Sequence, residues 1–393
     1  MIKLIKSSYY NEAETSKKLA NFIVSTKQLS FGSECEKFED NFSTYQGRKE
    51  CVFLNSGSSA NLAIIQALIN LGRLKKGDKI GFSALTWSTN VMPIIQLGLV
   101  AIPIDVEINT LNVSSQTFKK ILTNYPDIKM LFITNLLGWT NDIDEIAKIC
   151  VSNNILLIED NCESLGSVYM GKKLGNFGLA STFSFYVGHH MSTVEGGAVC
   201  TDDEELATMI RLVRAHGWDR NLSSDQQLLM RKKFNVNSTF YSRYTFYDLG
   251  FNLRPTEISG FLGNNQLQYL DQIIRIRESN YAEIASEILS SDEKYFKLKT
   301  EHMDVFSNFA IPLICRNINI RDELVKKCHE NIEIRPVVGG DMTEQPFYLK
   351  YMSEYKTGIS VSNASLIHHQ GLYFGNNPDL TKEEKQYIIK TFQ

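Results

Sequence analysis

Residues Ser181–Gly197 read STFSFYVGHHMSTVEGG. The first five, Ser181–Phe185, have the make-up of a buried strand, and a second apolar run, Ala198–Thr201, follows the Glu195-Gly196-Gly197 stop. Between them stand two adjacent histidines, His189 and His190. Neighbouring side chains on a strand or helix diverge, and no third ligand is suitably spaced, so a metal centre is not expected. An imidazole that titrates near neutrality is well suited to moving protons.

Working outward, further short apolar runs occur at Cys51–Leu54, Lys79–Ala84, Val100–Asp105, Met130–Thr134 and Ile155–Glu159. Several are continuous, as in strands covered on both faces. Helix-period segments such as Ala60–Leu71 and Val113–Asn124 separate them. The alternation predicts an α/β fold with a mostly parallel central sheet. The pattern changes near Gly250, where a long charged helix is predicted over Thr256–Leu289. The expected division is a large α/β domain, residues 1–250, and a smaller C-terminal α+β domain, residues 251–393.

A chain of 393 residues with a net charge of −3 can bury a large core and lacks the basic excess that nucleic acid demands. The start, MIKLIKSSYYNEAE, turns polar too soon for a signal peptide, and no run is apolar enough to span a membrane. The seven cysteines show no C-x-x-C spacing and read as reduced thiols, which implies a cytoplasmic protein.

Three other segments invite chemistry. In Val52-Phe53-Leu54-Asn55-Ser56-Gly57-Ser58-Ser59-Ala60-Asn61 a strand gives way to a helix whose N-terminus could bind an anion or simply be capped by serine. In Ile155-Leu156-Leu157-Ile158-Glu159-Asp160-Asn161-Cys162-Glu163 an apolar strand ends in acids, either a ligand site or ordinary helix-start charge. Gly250-Phe251-Asn252-Leu253-Arg254-Pro255-Thr256-Glu257 is a turn ahead of a helix.

In order and spacing these segments resemble the DegT/DnrJ/EryC1/StrS sugar aminotransferases. Phe31–Glu39 is similar to that family's early G-x-E-V-x-x-F-E, and Asp105–Thr110 to its D-V-D-x-x-T. The resemblance covers nearly the whole chain and implies a fold-type I, pyridoxal-phosphate-dependent aminotransferase architecture. It implies that Gly57, Ser58 and Ser184 hold the phosphate and that Trp87 stacks on the pyridine ring, where physics alone gives a core indole. It puts Asp160 against the pyridine nitrogen and Glu163, in place of the usual Gln, near the ring hydroxyl. Asn252 matches an Asn that reaches the phosphate from a partner subunit, which implies a homodimer with a shared active site.

His189 stands where the family carries its cofactor-binding lysine, and Val194 where a Gly is usual. The change to histidine resembles the sugar 3-dehydratase branch. The implied reaction uses pyridoxamine 5′-phosphate, held without a covalent link. His189 is its base, and the C3 hydroxyl leaves a nucleotide-linked 4-keto-6-deoxyhexose. GDP-4-keto-6-deoxymannose is the expected substrate, a 4-keto-3,6-dideoxy sugar the product, and glutamate the amine donor that restores the cofactor. The pathway implied is colitose synthesis for lipopolysaccharide O-antigen. An iron–sulfur cluster is excluded, because His216–Asn252 contains no cysteine. The alternatives are an aminotransferase with a non-lysine base and a decayed family member with a binding role. Arg335 and the His368–Asn377 stretch either line the sugar-nucleotide cleft or form ordinary surface.

Overall fold

The protein, described here by a computed structural model covering residues 1–289, 293–356 and 358–393, is built around a seven-stranded sheet. Its strands are β1 (Glu50–Leu54), β2 (Lys79–Ser83), β3 (Val100–Ile104), β4 (Ile128–Thr134), β5 (Leu156–Asp160), β8 (Ala180–Ser184) and β9 (Gly197–Thr201). A small hairpin, β6 (Val168–Tyr169) and β7 (Lys172–Lys173), interrupts the series. The spatial order is β1-β9-β8-β5-β4-β2-β3. All neighbours run parallel except β9, which is antiparallel to both β1 and β8.

The strands form because each is apolar on both faces. Val52 and Leu54 of β1 enter one core with Ile80, Phe82, Met130 and Phe132, while Cys51 and Phe53 enter another with Phe183 and Phe185. A third core joins Ile102, Ile104, Leu131 and Ile133 to Phe309–Ile311, Phe374 and Phe392 of the C-terminal part. Each expected strand is found, with ends displaced by at most two residues. The two predicted helices are also found, as Gly57–Asn70 and Ser115–Asn124, the second starting in a capping box of Ser114 and Thr117.

One expected element is corrected. The helix predicted over Thr256–Leu289 is two helices, Glu257–Leu267 and Leu270–Ile288. At the break Gln268 turns its side-chain amide onto the Asn265 carbonyl at 2.6 Å, and the Tyr269 amide tightens onto the Gln266 carbonyl at 3.0 Å. Carbonyls met in this way leave the i→i−4 ladder and end the helix.

The C-terminal part carries a second sheet, in the order β10 (Ala310–Ile314), β12 (Gly371–Gly375), β11 (Ile334–Arg335), all antiparallel. The extreme N-terminus reaches this region: Ile2 bridges to Ile332, and Leu4 donates its N–H to Glu333 at 2.9 Å. No helix among the described residues is long and apolar enough to cross a membrane.

Candidate active site

A cavity of about 460 Å³ opens beyond the carboxyl ends of β4, β5 and β8, where open α/β sheets place ligands. Of the residues singled out in the sequence, Gly57, Ser58, Trp87, Asp160, Glu163, Ser184, His189 and Arg335 all line it. Asn252 does not. It is exposed, with Arg254 Nε donating to its Oδ1 at 3.0 Å.

One end of the cavity is a helix start. Ser56 caps the helix Gly57–Asn70 by accepting the Ser59 N–H at 3.0 Å. A Cβ on Gly57 would fall 2.6 Å from Ser184 Cβ, so only glycine lets this terminus meet the end of β8. Exposed amides, the helix dipole and a serine hydroxyl then face one spot, a fitting cradle for a phosphate.

The other end is a carboxylate. Asp160 Oδ2 accepts from Asn61 Nδ2 at 2.9 Å and from Asn90 Nδ2 at 2.6 Å, and Oδ1 accepts from the Cys162 N–H at 2.9 Å. Three donors fix the orientation of this carboxyl group, the kind of partner a protonated pyridine nitrogen needs. Trp87 also lines the cavity. It is 53 % exposed, which rules out the core-indole reading and leaves its face open to a planar ring. Helix terminus, indole and carboxylate together fit a phosphorylated pyridine cofactor.

Glu163 differs from Asp160 although it is only three residues on. It is buried, and its Oε2 accepts one bond, from the Leu137 N–H at 3.0 Å. Burial pushes its pKa up to about 8, the Leu137 amide opposing and the nearby Asp160 charge adding. A pKa so raised favours the protonated carboxyl at neutral pH.

His189 is half-buried, its ring edge-on to Tyr186 at 5.9 Å and to Phe309 at 5.4 Å. Burial lowers its pKa to about 4, partly opposed by the Ser184 carbonyl and Asp160 and reinforced by Arg277. The imidazole is thus neutral and able to accept a proton. His190 faces elsewhere, with Nε2 bonded to the Ser307 carbonyl at 3.2 Å, so the pair does not converge. Arg335 reaches the cavity while paired with Glu333 at 2.6 Å. Within His368–Asn377, Tyr373 lines the cavity, whereas His368 accepts the Asp341 N–H at 3.1 Å.

Sequence reasoning missed the roles of Asn61 and Asn90. Both are buried polar residues, but each follows closely on serines or threonines, so the sequence carried no signal for them. Tyr186, Phe309 and Cys162 also line the cavity, and nothing in their local sequence marks them.

The sequence profile of the DegT/DnrJ/EryC1/StrS aminotransferase family matches residues 10–393. The GDP-4-keto-6-deoxy-D-mannose 3-dehydratase of Escherichia coli O55:H7 is 35 % identical over 389 residues, covering 98 % of this chain and 97 % of the relative. The structure of an E. coli GDP-4-keto-6-deoxy-D-mannose-3-dehydratase with bound hydrated PLP superposes with a TM-score of 0.89 at 33 % identity, covering 100 % of this chain and 99 % of the other. A GDP-4-keto-6-deoxymannose-3-dehydratase with a trapped PLP-glutamate geminal diamine superposes with a TM-score of 0.87 at 32 % identity, covering 100 % of both chains.

Proposed function

We propose, for a chain that belongs to the DegT/DnrJ/EryC1/StrS aminotransferase family, that it is a pyridoxal-phosphate-dependent enzyme which removes the C3 hydroxyl of GDP-4-keto-6-deoxymannose. The product is a 4-keto-3,6-dideoxy sugar, and glutamate restores the cofactor's amine. The observation that carries the reading is His189 in a cavity whose lining, among the described residues, includes no lysine. An imidazole accepts and returns protons but forms no stable covalent link with a carbonyl cofactor.

When bound, the pyridoxamine form supplies an amine for the substrate's C4 ketone and a ring that takes up electrons. Gly57, Ser58 and Ser184 hold its phosphate. Asp160, oriented by Asn61, Asn90 and the Cys162 amide, would pair with its ring nitrogen. Glu163, protonated, offers a hydrogen bond to its ring oxygen, as the family's Gln does with an amide. Trp87 covers one ring face and excludes water from it. His189 takes the proton from the cofactor's C4′ carbon. Because it does not capture the cofactor afterwards, elimination at C3 prevails over transamination at C4.

The cavity draws on both expected units, 1–250 and 251–393, since Phe309, Arg335 and Tyr373 join the residues of the large sheet. A homodimer with a shared site is part of the proposal. Asn252 lies outside the cavity lining of its own chain, and the nearby Phe240, Tyr241, Tyr244, Phe246 and Leu249 are exposed as an apolar group would be before a partner covers it. The cytoplasm is the proposed location, in keeping with seven free cysteines, and colitose-type O-antigen synthesis the proposed pathway.

The test is incubation of the purified protein with pyridoxal phosphate, glutamate and GDP-4-keto-6-deoxymannose, followed by mass spectrometry. A 3-deoxy ketone supports the proposal. A 4-amino sugar makes the protein an aminotransferase, and unchanged substrate makes it a binding protein.

A further inference from the structure

Arg277 is 5 % exposed and, among the described residues, forms no ion pair with a carboxylate. It spends its guanidinium on main-chain carbonyls. Nη2 donates to the His189 carbonyl at 3.2 Å, and Nη1 donates to the Phe309 carbonyl at 3.1 Å and to the Asn376 carbonyl. Phe309 is also the ring that packs edge-on against His189. One buried cation on the helix Leu270–Ile288 therefore grips both the backbone of the histidine and the backbone of its ring wall.

The grip extends across the back of the cavity. Asn376 Nδ2 donates to the Arg277 carbonyl at 2.8 Å and to the Asn308 carbonyl at 3.0 Å. Asn308 Nδ2 donates to the Leu137 carbonyl at 2.7 Å, and the Leu137 N–H is the donor to Glu163. A continuous chain of hydrogen bonds, buried except at the His189 carbonyl, thus links His189 to Glu163 from behind. A lysine base would be fixed at rest by its bond to the cofactor. A histidine has no such tether, so its place depends on contacts of this kind.

We propose that Arg277 is a positioning residue for the reaction, holding His189 and Phe309 in the geometry of proton transfer. The proposal rests on His189 being the base. Burial is the main reason the His189 pKa is low; the Ser184 carbonyl and Asp160 favour its protonation, and Arg277 opposes it. His190 is pushed down chiefly by burial and further by the same cation. Burial pushes the Arg277 pKa down to about 9, with the Asp379 charge opposing.

The experiment compares Arg277→Met, Arg277→Lys and His189→Asn as holoenzymes. A displacement of about 1 Å at a reacting group costs on the order of 10²-fold in rate. Both Arg277 variants should lose roughly that in kcat with KM little changed and the cofactor spectrum retained. In Arg277→Met the acid limb of the pH–rate profile should also move up, because the opposing charge is gone. In Arg277→Lys the limb should stay at the parent position. Should Arg277→Met not fold, the lysine variant decides: parent kcat there overturns the proposal. So does a fall in kcat that merely tracks loss of cofactor, or an unmoved limb in a folded methionine variant. His189→Asn keeps the two readings apart. If it remains active the base is misassigned, whereas an inactive His189→Asn beside normal Arg277 variants defeats only the positioning role.

Discussion

Asn90 Nδ2 stands 2.6 Å from Asp160 Oδ2 and ties the loop after β2 to the end of β5. Asn90 is itself oriented by Thr86, whose hydroxyl donates to its Oδ1 at 3.0 Å. A buried carboxyl group oriented by neutral amides depends on each of them.

Asn90→Ala should therefore weaken the hold on the pyridine nitrogen. Loss of a hydrogen bond to a charged group costs about 1.5–3 kcal/mol. The dissociation constant for pyridoxal phosphate, read by absorbance titration, should rise at least tenfold. Unchanged affinity would mean that Asn61 and the Cys162 amide suffice.

At position 189 two substitutions pull apart. His189→Asn should keep cofactor affinity and lose about two to four orders of magnitude in dehydration rate, the usual effect of removing a general base. His189→Lys should gain a cofactor adduct that borohydride makes permanent and mass spectrometry detects, while the parent shows none. An adduct on the parent protein would contradict the lysine-free cleft.

Glu163 makes stability depend on pH. Its carboxyl pKa is raised in the fold from 4.5 to about 8, chiefly by burial. The folded protein thus keeps a proton that the unfolded chain releases above its ordinary pKa. The contribution to stability is complete below pH 4.5 and is lost as pH rises through about 8. Melting temperatures of the apo protein should fall across that window, and less steeply in Glu163→Gln. Parallel curves for the two proteins would show that Glu163 is ionised throughout.

Val194 has φ +68°, a left-handed conformation that a β-branched side chain resists. It lies in the loop that returns from His189 to β9, with its N–H on Ser192 Oγ at 3.0 Å and its carbonyl accepting from the Val187 N–H. Strain of this kind is worth about 1–3 kcal/mol, partly offset in glycine by chain entropy. Val194→Gly should raise stability by about 1 kcal/mol in chemical denaturation. A lower midpoint would show that the valine side chain contributes more than its backbone costs.

Asn252→Ala should loosen cofactor binding by about 1.5–3 kcal/mol if the residue serves a neighbouring subunit's phosphate. Sedimentation should show a dimer in parent and variant alike, and mixed dimers should recover one working site. A fully active monomer would end the shared-site proposal.

The seven strands were legible because burial on both faces leaves continuous apolar runs such as Met130–Ile133. The reversal of β9 was not, since Ala198–Cys200 is equally apolar in either direction. The break at Gln268 escaped notice because it depends on one side chain turning back to the Asn265 carbonyl, with no glycine or proline to announce it. In the cavity the residues set on strand ends and helix starts were readable, as Asp160 and Gly57 illustrate. Their supports were not. Asn61 and Asn90 act through contacts 99 and 70 residues away in sequence, and Arg277 through one 88 residues away.

The position of β9 also sets a timetable for folding. β1, residues 50–54, has β9, residues 197–201, as its sheet neighbour. On a ribosome this first apolar strand waits for nearly 150 residues of further synthesis before its edge is covered. Helix Gly57–Asn70 waits more than a hundred residues for Ser184, and His189 waits 88 for Arg277. Pairings so distant in sequence fold slowly and leave an unpaired edge open to other chains. Slower translation or chaperone supply early in synthesis should therefore govern the yield of folded protein more than any single contact in the finished cleft.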